Sequence, residues 1–246
     1  MPKKISLPLI LMAVITLSHV ACAQKENYTG PVLKVQKDKL YQIIRLSIKE
    51  GKQEQFNQYF ASIGAKVAES GAKAHSFAVM EAGTGNGPAQ MIMIAEFEDR
   101  NAADVLYKSK EFFQNRNMRD HSLSYLSEGF FRASADGEFP IGKTGRLEII
   151  SMWIEEDKQE QLNEYFNTIM PEALSLGAEP APFVFVPALE QGNYHAQTVF
   201  LGFWKDDKSR DKFYNSQIFK TNKSKRDAAL KFLEEYHIQL IPDSGQ

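Results

Sequence analysis

The sequence has a single cysteine, Cys22, among its 246 residues, and it has no excess of basic charge. Lysine and arginine number 29 against 31 aspartates and glutamates, which gives a formal net charge of −2. One cysteine cannot build a disulfide framework. The charge balance argues against nucleic acid as a partner, because phosphate binding requires clustered basic side chains. A hydrophobic share of 43% is nevertheless that of an ordinary folded protein.

The familiar catalytic and cofactor motifs are also missing. We find no glycine-rich nucleotide fingerprint, no nucleophile elbow and no His-x-x-x-His pair in the sequence. The spaced glycines of GTGNGP at 83–88 join two predicted strands and open no helix, which favours a hairpin loop over a phosphate cradle. The histidines show no local metal-ligand spacing. No pattern in the sequence argues for a metal or a cofactor, and a zinc or haem site would need ligands that converge only in the fold.

The first 23 residues have the layout of a secretory signal peptide, with two early lysines, an apolar run at 5–17 and a small-residue triplet ending at Ala23. The run is short for a membrane span, so cleavage after Ala23 is favoured over an uncleaved anchor. Lipidation of Cys22 is the alternative, although bacterial lipoproteins usually have leucine where His19 stands. We expect export to the periplasm or beyond the cell, with no transmembrane span in the mature chain.

A nine-residue phrase occurs twice, as KQEQFNQYF at 52–60 and as KQEQLNEYF at 158–166. The similarity continues on both sides, with one inserted residue, and defines copies at 41–133 and 147–241. Solenoid repeats have periods of roughly 20–50 residues, so this longer spacing indicates duplication of a whole domain. The remaining parts of the chain are a polar leader at 24–40, expected to be loose, and a linker at 134–146 with the Gly and Pro content of a connection.

Each copy is predicted to run strand–helix–strand–strand–helix–strand. YQIIRLSIK at 41–49 alternates apolar and polar residues as a half-buried strand does. The helix that follows has one apolar stripe and a natural stop at Gly71, and the second helical region should break near 108–111. This order is the ferredoxin-like βαββαβ unit, whose sheet has one bare face that a second copy can cover. We therefore predict an α+β protein in which two tandem ferredoxin-like units form a pseudo-dimeric α+β barrel.

Two segments support this prediction by resemblance. FYNSQIFKTNKSKRDAA at 213–229, and more weakly LYKSKEFFQNRNMRDHS at 106–122, resemble the second-helix motif of a bacterial domain family of unknown function. That family belongs to the dimeric α+β barrel superfamily, which also includes the antibiotic-biosynthesis monooxygenases. The resemblance covers both copies and implies a fused barrel. It leaves the reaction open, because the superfamily includes cofactor-free oxygenases, haem proteins and apparent non-enzymes.

The copies differ most informatively where side chains are predicted to face the partner half. Arg45 should point away from the helices, and a turn centred near 85–86 would place His75 opposite Glu96. The third strand of the unit neighbours the first, so Glu96 is also expected near Arg45. The second copy has uncharged residues at the three matching positions, namely Ser151, Ala181 and Phe203.

The opposing wall is predicted to be aromatic, with Trp153, Phe183, Phe185 and Phe203. An apolar pocket with a few polar groups is typical of a small-molecule site, so we expect a small apolar or aromatic ligand between the halves. If the site is catalytic, the resemblance implies cofactor-free oxygenation or isomerisation. His75 would then act as general base, Glu96 would orient it and Arg45 would stabilise an oxyanion.

A second hypothesis stays open, in which the protein is a non-catalytic structural or protein-interaction module and the polar cluster is a satisfied ion pair. An enclosed cavity beside Arg45 favours ligand binding, and a filled barrel interior favours the module. The repeated pairs Tyr107/Tyr214 and Arg119/Arg226 are interpreted as fastening the second helix to its sheet, with two equivalent binding sites as the alternative.

Overall fold

The computed structural model describes residues 28–83 and 86–242. The predicted signal peptide and Cys22 lie outside the described residues. Within the described ranges the chain forms eleven strands and six helices. None of these helices is long and apolar enough to cross a membrane.

The elements of the first part are β1 (Val32–Val35), β2 (Leu40–Ile48), α1 (Gln53–Glu69), β3 (Lys73–Ala82), β4 (Met91–Phe97), α2 (Arg100–Tyr107), α3 (Lys110–Ser122) and β5 (Leu123–Ala133). Those of the second part are β6 (Gly137–Pro140), β7 (Arg146–Ile154), α4 (Gln159–Ser175), β8 (Ala178–Pro180), β9 (Phe185–Gly192), β10 (Thr198–Trp204), α5 (Asp207–Asn215), α6 (Gln217–Ala229) and β11 (Leu230–Leu240).

Eight antiparallel strands close into a barrel in the order β7-β11-β3-β4-β2-β5-β9-β10, and β10 pairs back with β7. The short β8 shares with β9 the other edge of β10. Within 41–133, called half one here, the strand order is β5-β2-β4-β3; within 147–241, called half two, it is β11-β7-β10-β9. The halves meet at two seams, β3 with β11 and β5 with β9. The predicted α+β barrel is confirmed.

The helices pack on the outside of the barrel and leave its interior to side chains from the strands. Apolar residues of α1, α2 and α3 form one buried cluster with the outer face of the half-one sheet, and α4, α5 and α6 form another on half two. The expected break in the second helical region is found at Ser109, whose hydroxyl accepts a hydrogen bond from the Phe112 amide at 3.1 Å and so caps α3. Ser216 caps α6 in the same way.

The leader differs from its expected loose state, because it contributes a strand that pairs with a strand of the linker. β1 and β6 pair as an antiparallel two-stranded ribbon, in register from Val32 with Pro140 to Val35 with Gly137. Leu33 and Val35 point inward while Lys34 is exposed, and the inward residues join the buried cluster of the barrel interior. Four residues with alternating inward and outward side chains can form a strand when a partner strand is present. The partner of β1 is β6, which lies more than 100 positions away along the chain. The ribbon therefore covers one end of the barrel.

Candidate functional site

Arg45 lies inside the barrel on β2 and is 4% exposed. Its guanidinium forms an ion pair with Glu234 of β11 and donates a hydrogen bond to the Ser127 hydroxyl at 2.8 Å. It also lies 3.7 Å above the ring centroid of Tyr194. Burial raises the pKa of Tyr194 to about 12, although the positive charge of Arg45 opposes this shift. Arg45 thus links half one to half two as a paired, packed cation.

His75 and Glu96 are not directly opposite each other, which corrects the predicted register. His75 pairs with Ile94, and Glu96 pairs with Lys73. β3 ends at Ala82 and β4 begins at Met91, so the connection is longer than a two-residue turn, while β3 pairs with β11 along its other edge. The observed register differs from the predicted one by two residues, since His75 lies opposite Ile94 instead of Glu96. An even shift of this kind keeps every side chain on the same face of the sheet. His75 and Glu96 therefore still face the same side of the sheet.

Arg45 and Glu96 do not meet, contrary to the expectation. On β2 the partner of Glu96 is Tyr41, whereas the partner of Arg45 is Ile92. Arg45 lies four positions beyond Tyr41 along the strand, a separation of about 13 Å at the usual rise per residue. Arg45 therefore cannot stabilise an oxyanion formed at His75, and the predicted three-residue constellation is wrong in this respect.

The predicted aromatic wall is divided among three places in the barrel. Phe183 and Phe185 are fully buried, with ring centroids 5.5 Å apart, and Phe185 lies 5.2 Å from Tyr41 near the ribbon. Trp153 packs 5.5 Å from Tyr194, on the side of Arg45. The ring of Phe203 lies 5.4 Å from the Lys143 ammonium. These rings and their neighbours pack the barrel interior, which is the arrangement expected of a filled barrel.

Two equivalent cavities lie instead between the sheet and the helices. The half-two cavity has a volume of about 100 Å³ and lies between the sheet, α4 and α6. The half-one cavity, of about 90 Å³, lies between the sheet, α1 and α3. The repeated residue pairs line both of them. They are Tyr165 and Tyr59, Tyr214 and Tyr107, Phe219 and Phe112, Arg226 and Arg119, and Glu235 and Glu128.

Only the half-two cavity borders a charged belt, formed by Arg146, Glu148, Arg210 and Glu235. Glu148 is 1% exposed and accepts hydrogen bonds from Arg146 Nε at 2.6 Å, from Trp204 Nε1 at 3.1 Å and from Arg210. Burial raises the pKa of Glu148 and the neighbouring Glu235 charge adds to this, while both arginines oppose it. Half one has uncharged residues at the positions of Arg146, Glu148 and Arg210, namely Leu40, Gln42 and Ala103.

The phenols of the half-two cavity are protonated donors at neutral pH. Burial raises the pKa of Tyr165 to about 12 against the positive charge of Arg226. Burial and the charge of Glu235 raise the pKa of Tyr214 well above its usual value, and its hydroxyl donates to Glu235 Oε2 at 3.1 Å. The arrangement places buried donors and a carboxylate against an apolar space. Such a wall can orient a hydroxyl or carbonyl oxygen of a bound molecule.

The sequence reasoning missed the charged belt because it compared only the barrel-facing positions of the two copies. The same comparison at the helix-facing positions contains the signal, since Gln42 aligns with Glu148 and Leu40 with Arg146. A difference of this kind is visible in the amino-acid sequence alone. What the sequence cannot show is that these positions border a cavity.

A wider cleft of about 680 Å³ lies at the end of the barrel under the ribbon. His75 and Glu96 line it together with Tyr41. The Tyr41 hydroxyl lies 3.2 Å from Glu96 Oε2 and accepts a hydrogen bond from the Gln36 amide at 2.8 Å. Burial is the main cause that raises the pKa of Tyr41. The structure thus brings two of the three predicted catalytic residues to one cleft and leaves the third inside the barrel.

The geometry of the half-two cavity bears on metal and haem binding. Within 28–83 and 86–242, no three His, Cys, Asp or Glu side chains converge as a metal site. No histidine lines the half-two cavity, and a volume of about 100 Å³ is far too small for a porphyrin. The described residues therefore do not fit haem at this position.

Neither a scan against protein-family models nor a search of the curated proteins found a match. Solved structures do match in fold. An anthrone oxidase-like protein superposes with a TM-score of 0.53 at 9% identity, over 85% of this chain and 94% of the other. A variant of chlorite dismutase from Candidatus Nitrospira defluvii gives a TM-score of 0.50 at 8% identity, over 83% of this chain and 92% of the other. Identities this low show the α+β barrel fold alone.

Proposed function

We propose that the protein binds a small apolar or aromatic molecule in the half-two cavity. The observation that supports this is an apolar space with a few buried polar groups on one side, the usual make-up of a small-molecule site. Aromatic and methionine side chains make up about half of the lining, among them Met152, Phe166, Met170, Phe200, Trp204, Phe213 and Phe219. The likeness in fold to an anthrone oxidase-like protein is compatible with this proposal.

The size of the cavity limits the ligand. An engineered cavity of about 150 Å³ admits benzene, so 100 Å³ suits a single small ring once the walls adjust slightly. Met152 and Met170 provide that adjustment, because unbranched thioether side chains change rotamer easily. A polar substituent on the ring would face Arg226 and the Tyr165 hydroxyl. We therefore propose a one-ring molecule with a hydroxyl or carbonyl oxygen.

For turnover we propose acid–base chemistry on the bound molecule. The resemblance implies isomerisation or cofactor-free oxygenation, and both begin with removal of a proton from the substrate. In the half-two cavity the Glu235 carboxylate would accept that proton, and the hydrogen bond that the Tyr214 hydroxyl donates to it would hold it in position. Oxygenation needs molecular oxygen as a co-substrate, whereas isomerisation needs only the proton transfer.

We also make proposals about the export of the protein and about the division of its chain into two copies. We propose export with cleavage after Ala23, supported by the charged start, the apolar run and the small-residue triplet. We also propose that the two halves are tandem copies of one ferredoxin-like unit, supported by their repeated phrase and identical strand order. The mass of the mature N-terminal peptide tests the first point, because an acylated Cys22 would reveal lipidation instead.

A second candidate function is a non-catalytic interaction module, and the filled barrel interior favours it. Arg45 is paired and covered by Tyr194, so the space beside it is occupied by side chains. A barrel of this kind can serve as a rigid support for outer surfaces. The two functions differ in whether the half-two cavity takes a ligand.

Gly202 offers a direct way to separate them. It lies on β10 among the residues that line the half-two cavity, and a Cβ added there meets no atom within 4 Å. Gly202→Val therefore places side-chain atoms in the open space beside β10, and valine suits a strand. Ala95 is the matching residue of half one and lines the half-one cavity. Ala95→Val is the matched control, since it fills the other cavity.

The measurement is an NMR titration with benzene, followed at the methyl groups of Met152 and Met170. We expect saturable shifts in the wild type and in Ala95→Val, and none in Gly202→Val. Benzene that shifts neither methyl group, or that shifts them equally in Gly202→Val, would refute the cavity as the binding site. The interaction module would then be the better account of the fold.

A further inference from the structure

We propose that the cleft under the ribbon is a second ligand site, and that it takes an organic cation, namely an amine on an apolar body. The cleft shares no lining residue with the half-two cavity and lies on half one, at the barrel end. At about 680 Å³ it falls within the usual range of roughly 300–1,000 Å³ for small-molecule pockets. The proposal does not depend on the function proposed above.

The cleft is a stable feature because apolar side chains anchor the ribbon on one side of it. Leu33, Val35 and Phe139 are each 2–3% exposed and belong to the cluster that fills the barrel interior. The backbone pairing of β1 with β6 holds the two strands together. The ribbon therefore forms one wall, and the ends of β3 and β4 form the other.

The apolar part of the cleft would hold the body of the ligand. Val32, which is half-buried, contributes aliphatic surface from the ribbon, whereas Leu33, Val35 and Ile94 line the cleft with side chains that are almost fully buried. These side chains lie beside the polar residues of the β3–β4 wall. A ligand with one apolar and one polar end matches this division.

The polar part of the cleft is centred on Glu96. A carboxylate offers about four acceptor positions, and the Tyr41 hydroxyl at 3.2 Å takes one of them. Glu96 is half-buried, so its charge is less screened by water than a charge at the rim. His75 lines the same wall. We assign His75 and Glu96 a binding role here, with the carboxylate accepting hydrogen bonds from an ammonium group.

The charge balance of the lining also favours a cation. Three carboxylates line the cleft, Glu96, Asp136 and Glu138, against two lysines. Lys34 is committed to an ion pair with Glu138 at 3.0 Å. Lys73, the cross-strand partner of Glu96, is exposed. Both lysines are thus paired or exposed to solvent, where their charge is screened, whereas Glu96 is half-buried.

The test compares benzylamine with benzyl alcohol, which has the same ring and no charge, in NMR titrations of the full mature chain at pH 7. We expect benzylamine to bind more tightly and to shift the amides of Ile94 and Glu96. Glu96→Gln should weaken benzylamine binding about tenfold, the usual worth of a charge-assisted hydrogen bond, and leave benzyl alcohol unchanged. Lys73→Glu should tighten benzylamine binding, because it adds a negative charge at the edge.

Glu98→Gln is the matched control. Glu98 lies two residues beyond Glu96, is 74% exposed, pairs with Lys39 and is outside the cleft lining. It should leave both affinities unchanged. Equal affinity for the two probes, no benzylamine binding, or an equal loss in Glu96→Gln and Glu98→Gln would each overturn the proposal. Because Lys73→Glu changes an exposed residue, its result stands even if Glu96→Gln folds poorly.

Discussion

At the scale of single residues, the Arg45–Glu234 pair shows how a buried charge can be misread from sequence. Both side chains are about 5% exposed, and they join β2 of half one to β11 of half two. Removing two charges from water is costly, and attraction between them offsets the cost only when each has its partner. The Tyr194 ring adds a cation–π contact on one face of the guanidinium. Arg45 therefore acts as a structural cation in the barrel.

This role predicts that breaking the pair destabilises the fold. Arg45→Ser, which installs the residue that half two has at the matching position, leaves Glu234 buried without its cation. We expect a loss of about 3–5 kcal/mol in the free energy of unfolding, measured by urea denaturation. Arg45→Leu combined with Glu234→Leu should recover most of this loss, because no unpaired charge remains. A small loss in Arg45→Ser would mean that the pair is not structural.

A second residue-scale prediction concerns pH. His237 lies on β11, and burial together with the positive charge of Arg146 lowers its pKa from the usual 6.5. Below pH 6.5 the unfolded chain binds a proton that the folded chain resists, so stability falls as the pH drops through this range. His237→Gln should remove that part of the loss. The test compares the change in urea midpoint between pH 7.5 and pH 5.5 in the wild type and in His237→Gln. An equal change in both proteins would contradict the lowered pKa of His237.

At the scale of elements, the ribbon marks the limit of local sequence reasoning. The segment VLKV has only two inward apolar residues, and its surroundings are polar, so nothing near it in sequence indicates burial. The partner strand β6 lies in what was predicted to be a linker. The ends of a barrel need cover, and here the chain uses the segments that precede each half.

The ribbon predicts a sharp contrast between two neighbouring residues. Leu33 is 3% exposed, whereas Lys34 points to solvent beside Glu138. Leu33→Ala should cost about 2–4 kcal/mol of unfolding free energy, as other buried leucine truncations do. Lys34→Ala should stay within about 0.5 kcal/mol. Equal and small effects of both variants in urea denaturation would show that the leader is loose after all.

The sequence was enough to predict which side of the sheet each side chain faces, but not which residue lies opposite it on the neighbouring strand. Alternation in β2, β3 and β4 assigned each side chain to the correct side of the sheet, since an even shift does not change it. The exact partner depends on where the connection between the strands begins, and β3 runs on to Ala82, past its last pair with β4 at Ala78, while its other edge pairs with β11. That extension depends on a seam between the two halves. Local turn residues such as GTGNGP cannot reveal it.

At the scale of the whole molecule, the repeat and the resemblance were enough to predict an α+β barrel. Two seams close it, and each joins a strand of half one to a strand of half two. The functional candidates were less predictable, because cavities form where distant residues meet. The charged belt depends on Arg146, Glu148 and Arg210, which lie on β7 and α5. Their differences from half one were visible in the sequence, but their shared border with a cavity was not.

The half-two cavity is proposed to hold a small molecule in the working protein. The direct measurement is native mass spectrometry of the protein purified from its own compartment, as wild type and as Gly202→Val. We expect the wild type to carry one retained small apolar or aromatic molecule per chain, and the variant to carry none while unfolding at a similar urea concentration. The same molecule retained equally by Gly202→Val, or a wild-type chain that retains nothing, would contradict the claim.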